Sequence, residues 1–317
     1  MAANWMRRSF LAAACAATTL LVACGSSTVE SAFTPTRFVA FGDGLADVGQ
    51  NGSGYTVNDG SINNWTSQLA SSFGGTIAPV SAGGLSYAQG NARVALTPDA
   101  AGNAGTLTVA QQVDKFLASQ KIGDGDLVLI SAGVSDVIAG MAAVQAGTLT
   151  ADQYVAAVGQ AGLDLATQAR RLSNAGAKHI LMTGTYDLSR TPWALAINQQ
   201  SLISQASLSF NTNLLKSISD LSKTVRYVDA AYYVNLYQGN PGGFGFTDGV
   251  TPVCTSVDPG PGIGIGTGQV NSNLCTVNTL LSGANQNAYL FADKVYITPS
   301  AQRQFGASAY SFLRLQW

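Results

Sequence analysis

Four short apolar runs, separated by segments of helical periodicity, constrain this chain more than any other feature. Arg37-Phe-Val-Ala-Phe41 reads as a buried first strand. Leu127-Val-Leu-Ile-Ser-Ala132, His179-Ile-Leu-Met-Thr-Gly184 and Val225-Arg-Tyr-Val-Asp229 read as three more. Between Thr150 and Gly176, Tyr154, Val158, Ala161, Leu165, Ala169 and Leu172 recur at spacings of three and four, one apolar stripe of a helix. Asn174-Ala-Gly176 supplies its C-terminal stop. Ile203, Phe210, Leu214 and Leu221 trace a second stripe, and Thr298-Pro299 opens a final helix with threonine placed as N-cap. Strands alternating with helices argue for an α/β sheet with crossover helices. Residues 240–280 break the pattern with Gly, Pro and polar side chains, and neither an internal repeat nor a second-domain boundary is evident.

The N-terminus reads as a targeting segment. Arg7 and Arg8 precede the apolar run Phe10–Ala23, which is too short to span a bilayer and has the shape of a signal peptide. Leu21-Val-Ala-Cys24 resembles a bacterial lipobox, so residues 1–23 would be removed and Cys24 acylated. Gly25 after Cys24 favours the outer membrane over inner-membrane retention. Arg7-Arg-Ser-Phe-Leu11 also resembles a twin-arginine signal. The expected product is exported and lipid-anchored, on the periplasmic side or at the cell surface. Residues 24–35 read as a tether and 36–317 as one domain.

Without residues 1–23, 14 basic residues face 17 acidic ones, a net charge of −3. No basic cluster remains, which speaks against nucleic acid as a partner. Cys254 and Cys275 are then the only cysteines besides Cys24. In an oxidising compartment they are expected to form a disulfide. Two thiols without a nearby histidine lack the usual four metal ligands, so no metal is expected there.

Four blocks carry a resemblance. Arg37–Gly49 contains Phe41-Gly-Asp-Gly-Leu-Ala-Asp47, and Gly83-Gly-Leu-Ser-Tyr-Ala-Gln-Gly-Asn-Ala-Arg93 follows. Ile130-Ser-Ala-Gly-Val-Ser-Asp136 is the third block, and Tyr289-Leu-Phe-Ala-Asp-Lys-Val-Tyr-Ile-Thr298 the fourth. In order and spacing they resemble the GDSL esterases and lipases, the SGNH hydrolases. The resemblance implies a three-layer α/β/α, flavodoxin-like fold with a parallel central sheet, and no cofactor. It also implies a nucleophilic serine where this chain has Gly44, an oxyanion-hole glycine at Gly90, an oxyanion-hole asparagine where it has Ser135, and a histidine where it has Tyr296. Asp293 matches the retained catalytic acid.

Serine attack on an acyl carbon needs a hydroxyl, a base for its proton and donors for the oxyanion. Gly44 has no hydroxyl. Tyr296 is a phenol with a pKa near 10, unsuited to act as a base at neutral pH. Ser135 offers one short donor where an asparagine amide reaches further, and losing one such donor costs about 3–4 kcal/mol. His179 is the sole histidine and sits at the start of a strand, so no Ser-His-Asp triad can be assembled elsewhere. Gly44 can also be read as relief for a tight strand-to-helix turn. Asp43, Asp47, Asp136 and Asp293 would lie near the altered centre, where the family resemblance implies hydrogen bonds to backbone groups rather than a metal. Tyr87, Trp65 and Trp193 could line an apolar groove, although core packing is the commoner fate of such rings.

Three functions compete. The first is a catalytically degenerate lipoprotein that binds an acyl ester, a glycan or a protein partner. The second is a hydrolase of ester bonds in which Asp293 or Asp43 activates water and the N–H groups of Gly44 and Gly90 hold the oxyanion. The third is a structural envelope lipoprotein.

Overall fold

A parallel sheet buried on both faces needs strands that are apolar throughout, and the four apolar runs supply them. A computed structural model describes residues 33–317. The expected signal peptide, Cys24 and most of the tether lie outside the described residues. The runs form β1 (Arg37–Gly42), β2 (Asp126–Ser131), β3 (His179–Thr183) and β4 (Val225–Tyr227), paired in that order and all parallel. Every residue of β2, the strand flanked by β1 and β3, is buried. The sheet is wider by one unforeseen segment. Leu85–Gln89 runs along the outer edge of β1, with Ala40 N donating to Leu85 O (3.1 Å), Tyr87 N to Ala40 O (2.7 Å) and Gln89 N to Gly42 O (3.1 Å). Those bonds carry the second block alongside the first.

Helices α1 (Trp65–Ser72), α2 (Val109–Ser119), α3 (Val134–Gln145), α4 (Ala151–Asn174), α5 (Pro192–Ala196), α6 (Gln200–Ile218), α7 (Ala230–Gly239) and α8 (Pro299–Leu313) complete the layers. Positions 38 and 41 project from opposite faces of β1, because side chains alternate along a strand. Phe38 leans toward Phe73, at the end of α1, which meets Tyr310 of α8. Phe41 leans the other way, onto Phe116 of α2. Helix α4 packs along α6 and touches α2 and α3 on that second side. The arrangement is the expected three-layer α/β/α sandwich.

The helix signals translate directly. All six stripe residues of α4 are buried, a Thr150–Gln153 capping box starts the helix, and Gly176 follows its end at φ +108°. In the second stripe, Leu221 falls in a 3-10 turn beyond α6. Thr298 occupies the N-cap of α8 but does not cap it with its side chain. Its hydroxyl instead donates to Tyr289 O at 2.7 Å, a part-buried carbonyl that needs a donor.

Cys254 and Cys275 form the expected disulfide, with Cα atoms 5.9 Å apart. It lies in a small apolar cluster with Val57, Val253 and Ala292. The irregular segment is organised by β5 (Asp248–Pro252), β6 (Val257–Asp258), β7 (Gln269–Val270) and β8 (Tyr289–Phe291): β5 pairs with β8 and β6 with β7. The domain begins earlier than expected. Phe33, assigned to the tether, stacks on His179 at 3.5 Å between ring centroids, and both rings meet Trp317 edge-on. Trp65, Trp193 and Tyr87 are buried in the main core, so they line no groove.

Candidate functional site

Four buried aspartates fix the turns of the sequence blocks through backbone N–H groups: Asp43, Asp47 and Asp136 tie the first three blocks together, and Asp293 closes the turn of the fourth. Asp43, at the turn after β1, accepts from Gly133 N (3.0 Å), Val134 N (2.9 Å) and Ser135 N (3.4 Å) through Oδ2, and from Leu45 N (3.1 Å) through Oδ1. The first three belong to the N-terminus of α3, where free amides and the helix dipole favour a carboxylate. Asp47 accepts from Gly49 N and Gln50 N, and reaches across to Gly90 N at 2.8 Å. Asp136 accepts from Val94 N at 2.9 Å and lies 3.5 Å from Arg93 Nε. Asp293 accepts from Val295 N and Tyr296 N at 2.7 Å and from Ser272 N at 3.0 Å.

Burial disfavours the charged form of each carboxylate, and the amide bonds oppose it. Burial wins. It raises Asp43 to about 7 against the pull of the Leu45, Ser135 and Val134 amides. It raises Asp47 to about 6 and Asp136 to about 6, and Asp293 also moves upward. These oxygens bond to the backbone, which is the role the resemblance implied for them.

On this frame the sequence-selected positions converge. Gly44 follows Asp43, Ser135 lies in the first turn of α3, and Tyr296 follows the Asp293 turn. A Cβ built on Gly44 would lie 2.6 Å from Tyr296 Oη and 2.7 Å from Cζ. The phenol ring therefore stands where a side chain at position 44 would stand. Gly44 has no left-handed φ, so relief of turn strain is not why it is glycine; the reason is space. Tyr296 is wholly buried and its ring lies 5.1 Å from that of Tyr55. Tyr55 in turn lies against Gly90, where an added Cβ would overlap its ring.

The donors are equally altered. The Gly90 N–H goes to Asp47, so it is not directed at an oxyanion. Ser135 is wholly buried, and its hydroxyl has no partner. The Tyr296 hydroxyl is also buried without a partner. Burial, with the nearby Asp43 charge, pushes that phenol well above its usual range, which leaves still less phenolate to accept a proton at neutral pH. Tyr186, another fully buried ring, donates to Val295 O at 2.6 Å and braces the same turn.

Tyr55 and Tyr186 escaped the sequence reading because neither lies in a motif or an apolar stripe. Gln112 did too. It bonds the backbone of Gly42 in both directions at 2.9 Å, locking the end of β1 to α2. A buried glutamine on the apolar face of a helix was its one visible signal.

The sequence profile described as GDSL-like lipase/acylhydrolase matches residues 38–308, and the chain belongs to that family. The native aryl esterase of M. smegmatis is similar in structure, with a TM-score of 0.45 and 15% identity over 89% of this chain and 99% of that one. A carbohydrate acetylesterase family member from Sinorhizobium meliloti gives a TM-score of 0.43 and 12% identity, over 88% of this chain and 98% of that one. No curated protein matches the sequence.

Proposed function

We propose that this protein is an exported, lipid-anchored member of the GDSL family whose hydrolytic centre is closed, and that it works by binding. The observation that carries the reading is the Tyr296 ring in the space of a residue-44 side chain. Gly44, Ser135, Tyr296 and Asp293 are all buried, so a substrate carbonyl has no approach to them. A hydrolase built on a carboxylate-activated water is less well supported. Asp43 and Asp293 have no exposed surface and bond backbone amides. An acyl ester or a glycan is the ligand class that the family's chemistry suggests, and it would bind away from Gly44. The N-terminal pattern ending in Cys24 supports attachment to the outer membrane.

The test is turnover of a p-nitrophenyl ester panel by the purified protein, with serine-directed phosphonate labelling in parallel. Wild type should remain at background and unlabelled. Robust turnover would overturn the closed-centre reading, and stoichiometric labelling would identify a relocated serine. Turnover without labelling, abolished by Asp293→Asn, would favour the water-activating route. The informative revertant is Gly44→Ser/Tyr296→His/Ser135→Asn, because a serine at position 44 would have to displace the phenol where Tyr296 remains.

A further inference from the structure

We propose that the end of the molecule where β1–β4 begin is a basic docking face that lies against the anionic headgroups of a lipid surface. The four parallel strands all start at this end, and α2, α4 and α6 finish there, each shortly before the next strand. The end of α8 joins them: Arg226 of β4 lies over the Trp317 ring at 5.1 Å, and its Nε donates to Gln316 Oε1 at 3.0 Å. Segments 33–37, 114–126, 170–179, 216–226 and 314–317 make up the face. They carry ten Lys and Arg against four Asp, an excess of +6. The other described residues carry four against twelve, −8. The ten cations are dispersed along the chain and meet only in the fold.

Helix polarity does not account for the excess. A cation in the last turn of a helix complements its dipole, but of α2, α4 and α6 only α4 and α6 carry one there, Arg171 and Lys216. Lys121, Lys178 and Lys223 lie in the connections that lead into the strands. The four aspartates are already matched, in the pairs Arg37–Asp126, Arg170–Asp220, Arg171–Asp114 and Lys178–Asp124. Lys115, Lys121, Lys216 and Lys223 are exposed and enter no ion pair among the described residues. Like charges gathered at one end repel one another, and a surface of opposite charge turns that cost into attraction.

The occupant follows from where the chain enters. Phe33 stacks on His179 at the start of β3, so the segment leading back to Cys24 departs from the basic face. Nine residues separate Cys24 from Phe33, and at full extension they reach about 30 Å. Helix α4, with 24 residues, is about 36 Å long. The tether is therefore too short to run the length of the domain, and it holds this end nearest the bilayer. That step rests on the proposed lipid anchor; the charge distribution does not. Leu315, exposed beside Arg314 on the same face, adds an apolar contact at the headgroup boundary.

The test is co-sedimentation of the exported Cys24→Ala protein, which cannot be acylated, with vesicles of phosphatidylglycerol and phosphatidylethanolamine. Phosphatidylcholine vesicles are the neutral control. Binding should require the anionic lipid and should fall as salt rises from about 50 to about 500 mM. Lys121→Gln, Lys216→Gln and Lys223→Gln should each weaken it about fivefold, and the triple variant about a hundredfold. Replacing the same three lysines with arginine should preserve it. A nitroxide at Leu315→Cys should be shielded by bound vesicles, whereas one at Tyr232→Cys, in the first turn of α7 beyond the carboxyl end of β4, should stay open to solvent. Equal binding to phosphatidylcholine, full affinity in the folded triple variant, shielding at 232 rather than 315, or tighter binding to duplex DNA than to the anionic vesicles would each overturn the proposal. Cell partitioning of Cys24→Ala reports on the anchor separately, so the two readings fail independently.

Discussion

A Cβ at position 44 would lie 2.6 Å from Tyr296 Oη and 2.7 Å from Cζ, so even alanine must displace a wholly buried ring. Overpacking of that kind costs about 1–3 kcal/mol. Gly44→Ser alone is therefore expected to lose about that much stability in urea denaturation, with no gain of esterase activity. In a Tyr296→Ala background the same change should cost less than about 1 kcal/mol, because residues in contact are energetically coupled. Equal costs in the two backgrounds would show that the ring does not occupy the serine space. The acidic residues make a second prediction at this scale. Asp43 at about 7, and Asp47 and Asp136 at about 6, hold protons in the folded state that the unfolded chain releases near its ordinary carboxylate value. Their contribution is complete below about pH 4 and is lost as pH rises through 6 to 7. His179 acts in the opposite sense, since burial lowers its pKa. Urea melts in a His179→Gln background should thus show stability falling from pH 4 to pH 7. A rise across that window would contradict the burial assigned to these carboxylates.

Among the elements, the irregular 240–280 segment depends most on a covalent tie. The disulfide joins residues 21 apart in sequence, and closing a loop of that size stabilises by about 3 kcal/mol in the chain-entropy model. Cys254→Ser/Cys275→Ser should lower the calorimetric melting temperature accordingly, and an unchanged melt would show that the β5–β8 pairing alone orders the segment. Regular elements were the most legible part of the sequence. The apolar runs and the α4 stripe report burial on a fixed period, which is a local property. The Leu85–Gln89 edge was not legible, because a short stretch containing Ser and Gln carries no strand period; only the free edge of β1 makes it extended. The Thr298 hydroxyl was misassigned for a similar reason, since its acceptor belongs to another element.

For the whole molecule, the reading of Cys24 as a lipid anchor predicts that Cys24→Ala moves the protein from the membrane fraction to the soluble one. Identical partitioning of variant and wild type would remove the anchor from the proposed function. Sequence alone determined the family frame, the parallel α/β order and the absence of a hydroxyl at Gly44 and of an imidazole at Tyr296, because side-chain groups and an apolar period are properties of residue identity and spacing. The tertiary structure alone decided what fills the space beside Gly44. Tyr296 lies 252 positions from Gly44 in the chain, and neither residue by itself indicates that one fills the space left by the other. Tyr55 against Gly90 and the Gly90 amide turned to Asp47 are likewise outcomes of packing. Packing depends on distances between segments remote in sequence, and no local pattern of residues encodes those distances.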